Sequence, residues 1–132
     1  MNSSHASILP GALGQVSRSV KDIDAATAWY RDVLGLEHLY SFGPLAFFDC
    51  RGTRLFLSQV PEPGPESVLY FRVPDIRTSY EQLRTRDVAF SGPPHLIHRH
   101  DDGTEEWMAF FEDLEGRPLA IMSQVSPQPN SD

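Results

Sequence analysis

The sequence predicts an α+β domain built from two copies of one unit, each a strand, a helix and three further strands. Two self-similarities and one change of pattern predict it. "VKDIDAATAWY" from Val20 matches "VPDIRTSYEQL" from Val73 at the Val, Asp and Ile positions. "FFDCRGTRLFL" from Phe47 aligns with "FFEDLEGRPLAIM" from Phe110 once a residue is added in the turn, so that Gly52 meets Gly116 and Phe56 meets Ala120. Self-similarity on this scale means one supersecondary unit used twice. Within each copy the apolar period passes from two to about 3.6 and back to two, as expected of strand, helix and strand.

In the first copy, Val16, Arg18 and Val20 alternate with Gln15, Ser17 and Ser19, which predicts a strand with two unlike faces. Asp22 is placed to cap a helix, because its carboxylate can accept from amides of the first turn. Ile23, Ala26, Tyr30, Val33 and Leu34 follow at helical spacing, and Gly35 can take the left-handed conformation that ends a helix. "EHLYSF", "LAFFDC" and "RLFLSQ" supply three short strands, with turns at Gly43-Pro44 and 51–53. The second copy repeats the order with "SVLYFRV", a helix over 75–86 carrying Ile76, Tyr80 and Leu83, and strands near 95–100, 106–112 and 118–122. "DDGT" predicts a hairpin turn. "VPEPGPES" reads as a linker, since proline stiffens a chain and cannot donate to a ladder.

The 132 residues suit one domain, and 40% hydrophobic content with eight Phe, four Tyr and two Trp suits a packed core. The expected division is a tail over 1–12, a first module over 13–60, a linker over 61–66, a second module over 67–125 and a tail over 126–132. A net charge of −7 argues against a nucleic-acid partner, which needs clustered Lys and Arg. One cysteine, Cys50, precludes an internal disulfide and, with no basic-then-apolar leader, points to the cytoplasm. No apolar run reaches the roughly 20 residues that span a bilayer.

"VKDIDAATAWYRDVLGLE" resembles the first strand-to-helix join of the vicinal oxygen chelate superfamily, and "FFEDLEGRPLAIMSQV" its "DPDGNPIEL" turn and last strand. That superfamily includes glyoxalase I, methylmalonyl-CoA epimerase, extradiol dioxygenases and bleomycin-resistance proteins. The resemblance covers roughly residues 13–125. It implies two βαβββ modules whose eight strands form a curled mixed sheet around a cavity, with the helices outside. It also implies a homodimer, and in metal-dependent members four cavity-facing ligands, one from the first and one from the last strand of each module. Those positions fall on Gln15, Phe56, Val68 and Ala120. Phe, Val and Ala offer a cation no donor, so no metal or other cofactor is expected at the family's usual centre.

The remaining residues each carry two readings. Gln15 is either a hydrogen-bonded polar side chain near a strand end or a cavity group that orients a ligand. Ser17, Tyr70 and Arg72 share its expected inward parity; Tyr70 can donate to a ligand oxygen, and Arg72 either pairs with an anion or sits in solvent. In "HLIHRH", His98 and His100 are expected on one face and His95 on the other, so the pair either binds a relocated metal or shuttles protons, or else His98 and Arg99 lie on a half-exposed strand whose charges complement the acidic turn of Asp101, Asp102, Glu105 and Glu106. Phe56, Val68, Ala120 and Met122 make the cavity apolar. Trp107 and the Phe110-Phe111 pair are candidate stacking surfaces or plain core. The expectation is therefore a cytoplasmic, dimeric, glyoxalase-like protein that holds a small organic molecule in an apolar cavity, as a binder or as an enzyme whose catalytic residues the sequence leaves unnamed. The alternative is a metal-dependent lyase, isomerase or dioxygenase with its metal near His98 and His100.

Overall fold

A computed structural model describes residues 12–64 and 68–127. The expected tails, apart from 12, 126 and 127, and the linker residues 65 and 66 lie outside the described residues. The first module comprises β1 (Gln15–Val20), α1 (Ile23–Asp32), β2 (Glu37–Phe42), β3 (Leu45–Cys50) and β4 (Thr53–Gln59). The second comprises β5 (Leu69–Arg72), α2 (Ile76–Thr85), β6 (His95–Arg99), β7 (Glu105–Glu112) and β8 (Pro118–Val125). The eight strands form two four-stranded sheets of the same order, β1-β4-β3-β2 and β5-β8-β7-β6, in which only β1–β4 and β5–β8 run parallel. This is an α+β fold of two βαβββ modules.

Each helix starts where its sequence places a carboxylate. Asp22 accepts from the Ala25 amide at 3.1 Å, and Asp75 accepts from the amides of Arg77 and Thr78. Gly35 takes a positive φ of 77° just past α1, whereas after α2 the left-handed residue is Asp87, at 64°. A carboxylate side chain tolerates that region better than a β-branched one, so glycine is not required there.

One face of each sheet is covered. Val20, Leu55, Leu57, Ala46 and Phe48 of the first sheet pack with Ile23, Ala26 and Tyr30 of α1. Ala109, Phe111, Leu119 and Ile121 of the second pack with Ile76 and Leu83 of α2, and the two sets form one continuous core. Burying each large apolar side chain stabilises the fold by about 1.5–3 kcal/mol.

The modules are also joined by polar contacts. Tyr30 Oη donates to Asp113 Oδ2 at 2.8 Å, Arg18 Nη2 donates to the Pro118 carbonyl at 2.8 Å, and Arg86 Nη1 donates to the Val33 carbonyl at 2.9 Å. The Glu115 carboxylate accepts from the amides of Lys21 and Asp22 at the start of α1. Burial, then the charge of Asp113, pushes the Tyr30 hydroxyl well above the usual phenol range, with Arg18 opposing the shift. Arg18 shares its parity with Val16 and Val20, and the structure puts it inside at 1% exposure.

Candidate functional site

The faces away from the helices are where strand parity sends the residues expected to bind a ligand. On the first sheet, Ser17 pairs with Phe56 across β1 and β4, and Gln15 pairs with Arg54. Phe56 stacks on Phe47 at 5.3 Å, Phe47 on Tyr40 at 4.6 Å, and Tyr40 lies parallel to Phe42 at 6.4 Å. The Arg54 guanidinium lies 5.8 Å from the Phe47 ring. Three strands thus bring four rings into one stacked series, of which Phe47 is buried while Tyr40 and Phe42 remain 45% and 61% exposed. A bulge in β2 between His38 and Tyr40 sets this up, turning His38 towards Phe48 on the helix side and Tyr40 towards Phe47. Gln15 and Ser17 are exposed beside this series. Within the single chain, the Gln15 amide is therefore not the buried group that its sequence position suggested.

On the second sheet, Tyr70, Ala120 and Phe110 lie side by side across β5, β8 and β7. Strands lie about 4.8 Å apart, so Tyr70 and Phe110 start nearly 10 Å apart at the backbone. Their rings nevertheless approach to 6.0 Å, edge to face, and Ala120 between them is fully buried. The next row along is Arg72, Met122 and Met108. Val68 precedes β5 and is half-buried.

For Trp107 and Phe111 the structure gives the core reading, and for His95 it corrects the expected placement. Trp107 shares the parity of Ala109 and Phe111, so it lies on the helix-covered face. Its ring faces the Arg77 guanidinium of α2 at 5.5 Å, and its Nε1 donates to Glu105 at 2.9 Å. Phe111 likewise belongs to the core, leaving Phe110 on the open side. His95 does not oppose His98. A bulge between Leu96 and His98 inserts one residue, so that His95 pairs with Met108 and His98 with Glu106, both on the open face.

Beyond the Met108–Met122 row, polar groups cross the sheet. His100 Nε2 and Gln124 Nε2 both lie 2.8 Å from Glu106 Oε2, and the rings of His98 and His100 meet edge to face at 4.6 Å. The hydrogen bond to His100, then that from Gln124, holds the Glu106 carboxyl below the usual carboxylate range, with the charges of His100 and Arg72 adding to it. Sequence reading found the histidines and grouped Glu106 with the acidic turn, but it did not find Gln124 or the pairing of Glu106 with it, which depends on the register of β7 against β8.

The four positions at which the resemblance would place metal ligands divide between the two sheets, Gln15 and Phe56 on one, Val68 and Ala120 on the other. They offer one amide and no carboxylate or imidazole, so they do not fit a divalent cation. Among the described residues no three His, Cys, Asp or Glu side chains converge in a way that could hold a metal. Cys50 is half-buried, and burial, with Asp49 beside it, pushes its thiol up, away from thiolate reactivity. A cleft of about 1200 Å³ runs between the modules, bordered by Val16, Leu36, Leu55, Phe71, Leu83 and Arg86 among others; it also takes in Val68, Tyr70 and Arg72 at the edge of β5. Among the described residues no helix is long and apolar enough to cross a membrane.

The fold recurs among solved structures. Lactoylglutathione lyase from Agrobacterium tumefaciens superposes with a TM-score of 0.66 at 23% identity, covering 86% of this chain and 94% of that one. A glyoxalase/bleomycin resistance protein/dioxygenase from Nocardioides gives 0.68 at 19%, covering 98% and 93%. A glyoxalase family protein from Bacillus anthracis gives 0.70 at 14%, covering 91% and 100%. No curated protein matches the chain. The family model for the Glyoxalase/Bleomycin resistance protein/Dioxygenase superfamily matches residues 12–116, which is most of the sequence, and the chain belongs to that superfamily.

Proposed function

We propose that this protein binds a small organic molecule with an aromatic portion, without the superfamily's usual metal centre, and that it does so in the cytoplasm as a homodimer. The observation that carries this reading is the stacked series Phe56, Phe47, Tyr40 and Phe42. It occupies one of the family's ligand positions and exposes ring surface to solvent in the single chain. Rings held parallel in this way offer a planar molecule a stacking partner at little cost in side-chain entropy.

The same exposure supports the dimer. Tyr40, Phe42 and Tyr70 are 45%, 61% and 47% exposed. Apolar faces of this kind on both sheets are the surfaces that a second copy, together with the ligand, would cover. Gln15 and Ser17 would then point into an enclosed space rather than solvent, with Gln15 orienting a ligand carbonyl or hydroxyl.

Native mass spectrometry of the gently purified protein, with metal analysis of the same sample, tests this. The expected result is a species of twice the chain mass, a retained organic ligand and far less than one equivalent of Zn, Ni, Mn or Fe. A stoichiometric metal that disappears on changing His98 and His100 to Ala would favour a metal-dependent lyase, isomerase or dioxygenase instead.

A further inference from the structure

The polar band on the open face of the second sheet has no part in the apolar reading above, and its hydrogen-bond order is directional. Glu106 is ionised, so it can only accept. Gln124 donates one amide hydrogen to its Oε2, and His100 Nε2 lies 2.8 Å from the same oxygen. The proton of a neutral His100 is therefore on Nε2, and the lone pair is on Nδ1. Among the described residues no hydrogen bond reaches His100 Nδ1 or either ring nitrogen of His98. The backbone that carries His100 is fixed, since its amide donates to Thr104 O at 2.8 Å and its carbonyl accepts from Gly103 N at 2.9 Å. An imidazole with one nitrogen tied to a carboxylate and the other open is the arrangement of a general base.

We propose that His100, oriented by Glu106 and walled on one side by His98, accepts a proton from an acidic hydroxyl of the bound molecule, a phenol or an enol. In the step, the ligand O–H breaks, its proton moves to Nδ1, and its electron pair stays on oxygen. The products are an oxyanion and an imidazolium whose charge Glu106 balances. The neighbouring Met108–Met122 row, two residues along each strand and so about 7 Å away, gives the apolar part of the ligand a floor.

Charged groups approach the base from several elements. From β7 it faces Glu106, and from the turn Asp102, whose carboxyl feels the His100 charge. Arg72 of β5 acts on Glu106 from the far side, and Arg99 of β6 is engaged by Glu105. Gln124 of β8 is neutral.

The inference rests on the aromatic-ligand reading, and the experiment separates the two. The probe is 4-nitrophenol, whose phenolate absorbs in the visible and whose binding is followed independently by calorimetry. With wild-type protein the bound probe is expected to ionise at a pH about one unit lower than the free probe, roughly tenfold more phenolate at the same pH, as an adjacent cation produces. His100→Gln should abolish the shift, weakening binding of the phenolate about tenfold relative to that of the neutral phenol, and Glu106→Gln should reduce it, with circular dichroism showing both variants folded. Binding with no shift in the wild type, or a shift unchanged in His100→Gln, overturns the proton-transfer inference and leaves the binding reading standing. No binding of the probe by calorimetry overturns both.

Discussion

Replacing Tyr30 with Phe should weaken the joint between the modules without opening a cavity. The hydroxyl is fully buried and donates to Asp113 Oδ2 at 2.8 Å, while Asp113 itself is 6% exposed. Asp113 Oδ1 keeps its bonds from the amides of Glu115 at 2.8 Å and Arg117 at 3.0 Å, so the carboxylate stays partly satisfied. What is lost is one buried hydrogen bond to a charged acceptor, worth about 1.5–3 kcal/mol. At about 4 °C per kcal/mol for a chain of this length, a loss near 2 kcal/mol lowers Tm by about 8 °C. Urea unfolding should show a lower midpoint with an unchanged slope, because the surface exposed on unfolding is the same.

The same variant should change the alkaline limb of stability. The folded-state pKa of Tyr30 is raised, by burial first and the Asp113 charge second, above its unfolded value of about 10. A raised folded pKa means that the stabilisation is complete below pH 10. It is lost as the pH climbs past that value, because the unfolded chain ionises there and the folded chain does not. Tyr30→Phe should therefore lose less stability between pH 9 and pH 11 than the wild type, with the range set by that unfolded value of about 10. A destabilisation below about 0.5 kcal/mol at pH 7, the scale of an ordinary surface change, would refute the argument that this contact joins the modules.

Gln15→Ala should leave the unfolding midpoint unchanged, since the side chain is exposed, yet weaken ligand binding measured by calorimetry by about 1–2 kcal/mol; unfolding without any change in affinity would make Gln15 structural. Phe56→Glu restores a carboxylate at one of the family's ligand positions, but Val68 and Ala120 still contribute none. Metal titration should therefore show no tight site, and stoichiometric micromolar binding would contradict the assignment of those four positions. Phe42→Asp places a charge on the most exposed ring of the stacked series and should shift the dimer to monomer in light scattering, whereas a wild-type protein that is already monomeric at micromolar concentration refutes the dimer.

Much of the fold was legible because local rules and tertiary packing agree. Asp22 and Asp75 cap the helices at the positions their spacing predicts, and the alternation of Leu119 and Ile121 with Ala120 and Met122 sorts core from open face correctly. The failures sit where a strand departs from strict alternation or where a contact depends on register. One inserted residue in β6 carries His95 to the side of His98, and simple counting by twos cannot see a bulge. For Trp107 the sequence left stacking surface and core both open, and its spacing of four from Phe111 agrees with the core face that the structure gives it. Arg18 was legible by parity but not by chemistry, since a buried guanidinium requires partners 12 and 100 residues away, Tyr30 and the Pro118 carbonyl. The partnership of Glu106 with His100 and Gln124 is likewise invisible until three strands are aligned.

Glu115 gives the doubled architecture a handedness of assembly. Its carboxylate accepts from the amides of Lys21 and Asp22, which lead into α1, where a helix start favours negative charge. The corresponding turn of the first module carries Arg51 next to Gly52, the glycine that aligns with Gly116. An arginine at a helix start would be repelled by the same dipole that attracts Glu115. The two halves share a fold and differ in the sign of one charge at the tip that does the docking. A single module repeated unchanged could therefore form this contact at both ends or at neither. Divergence at this one turn makes this contact one-sided, with the first half supplying the helix start and the second the carboxylate.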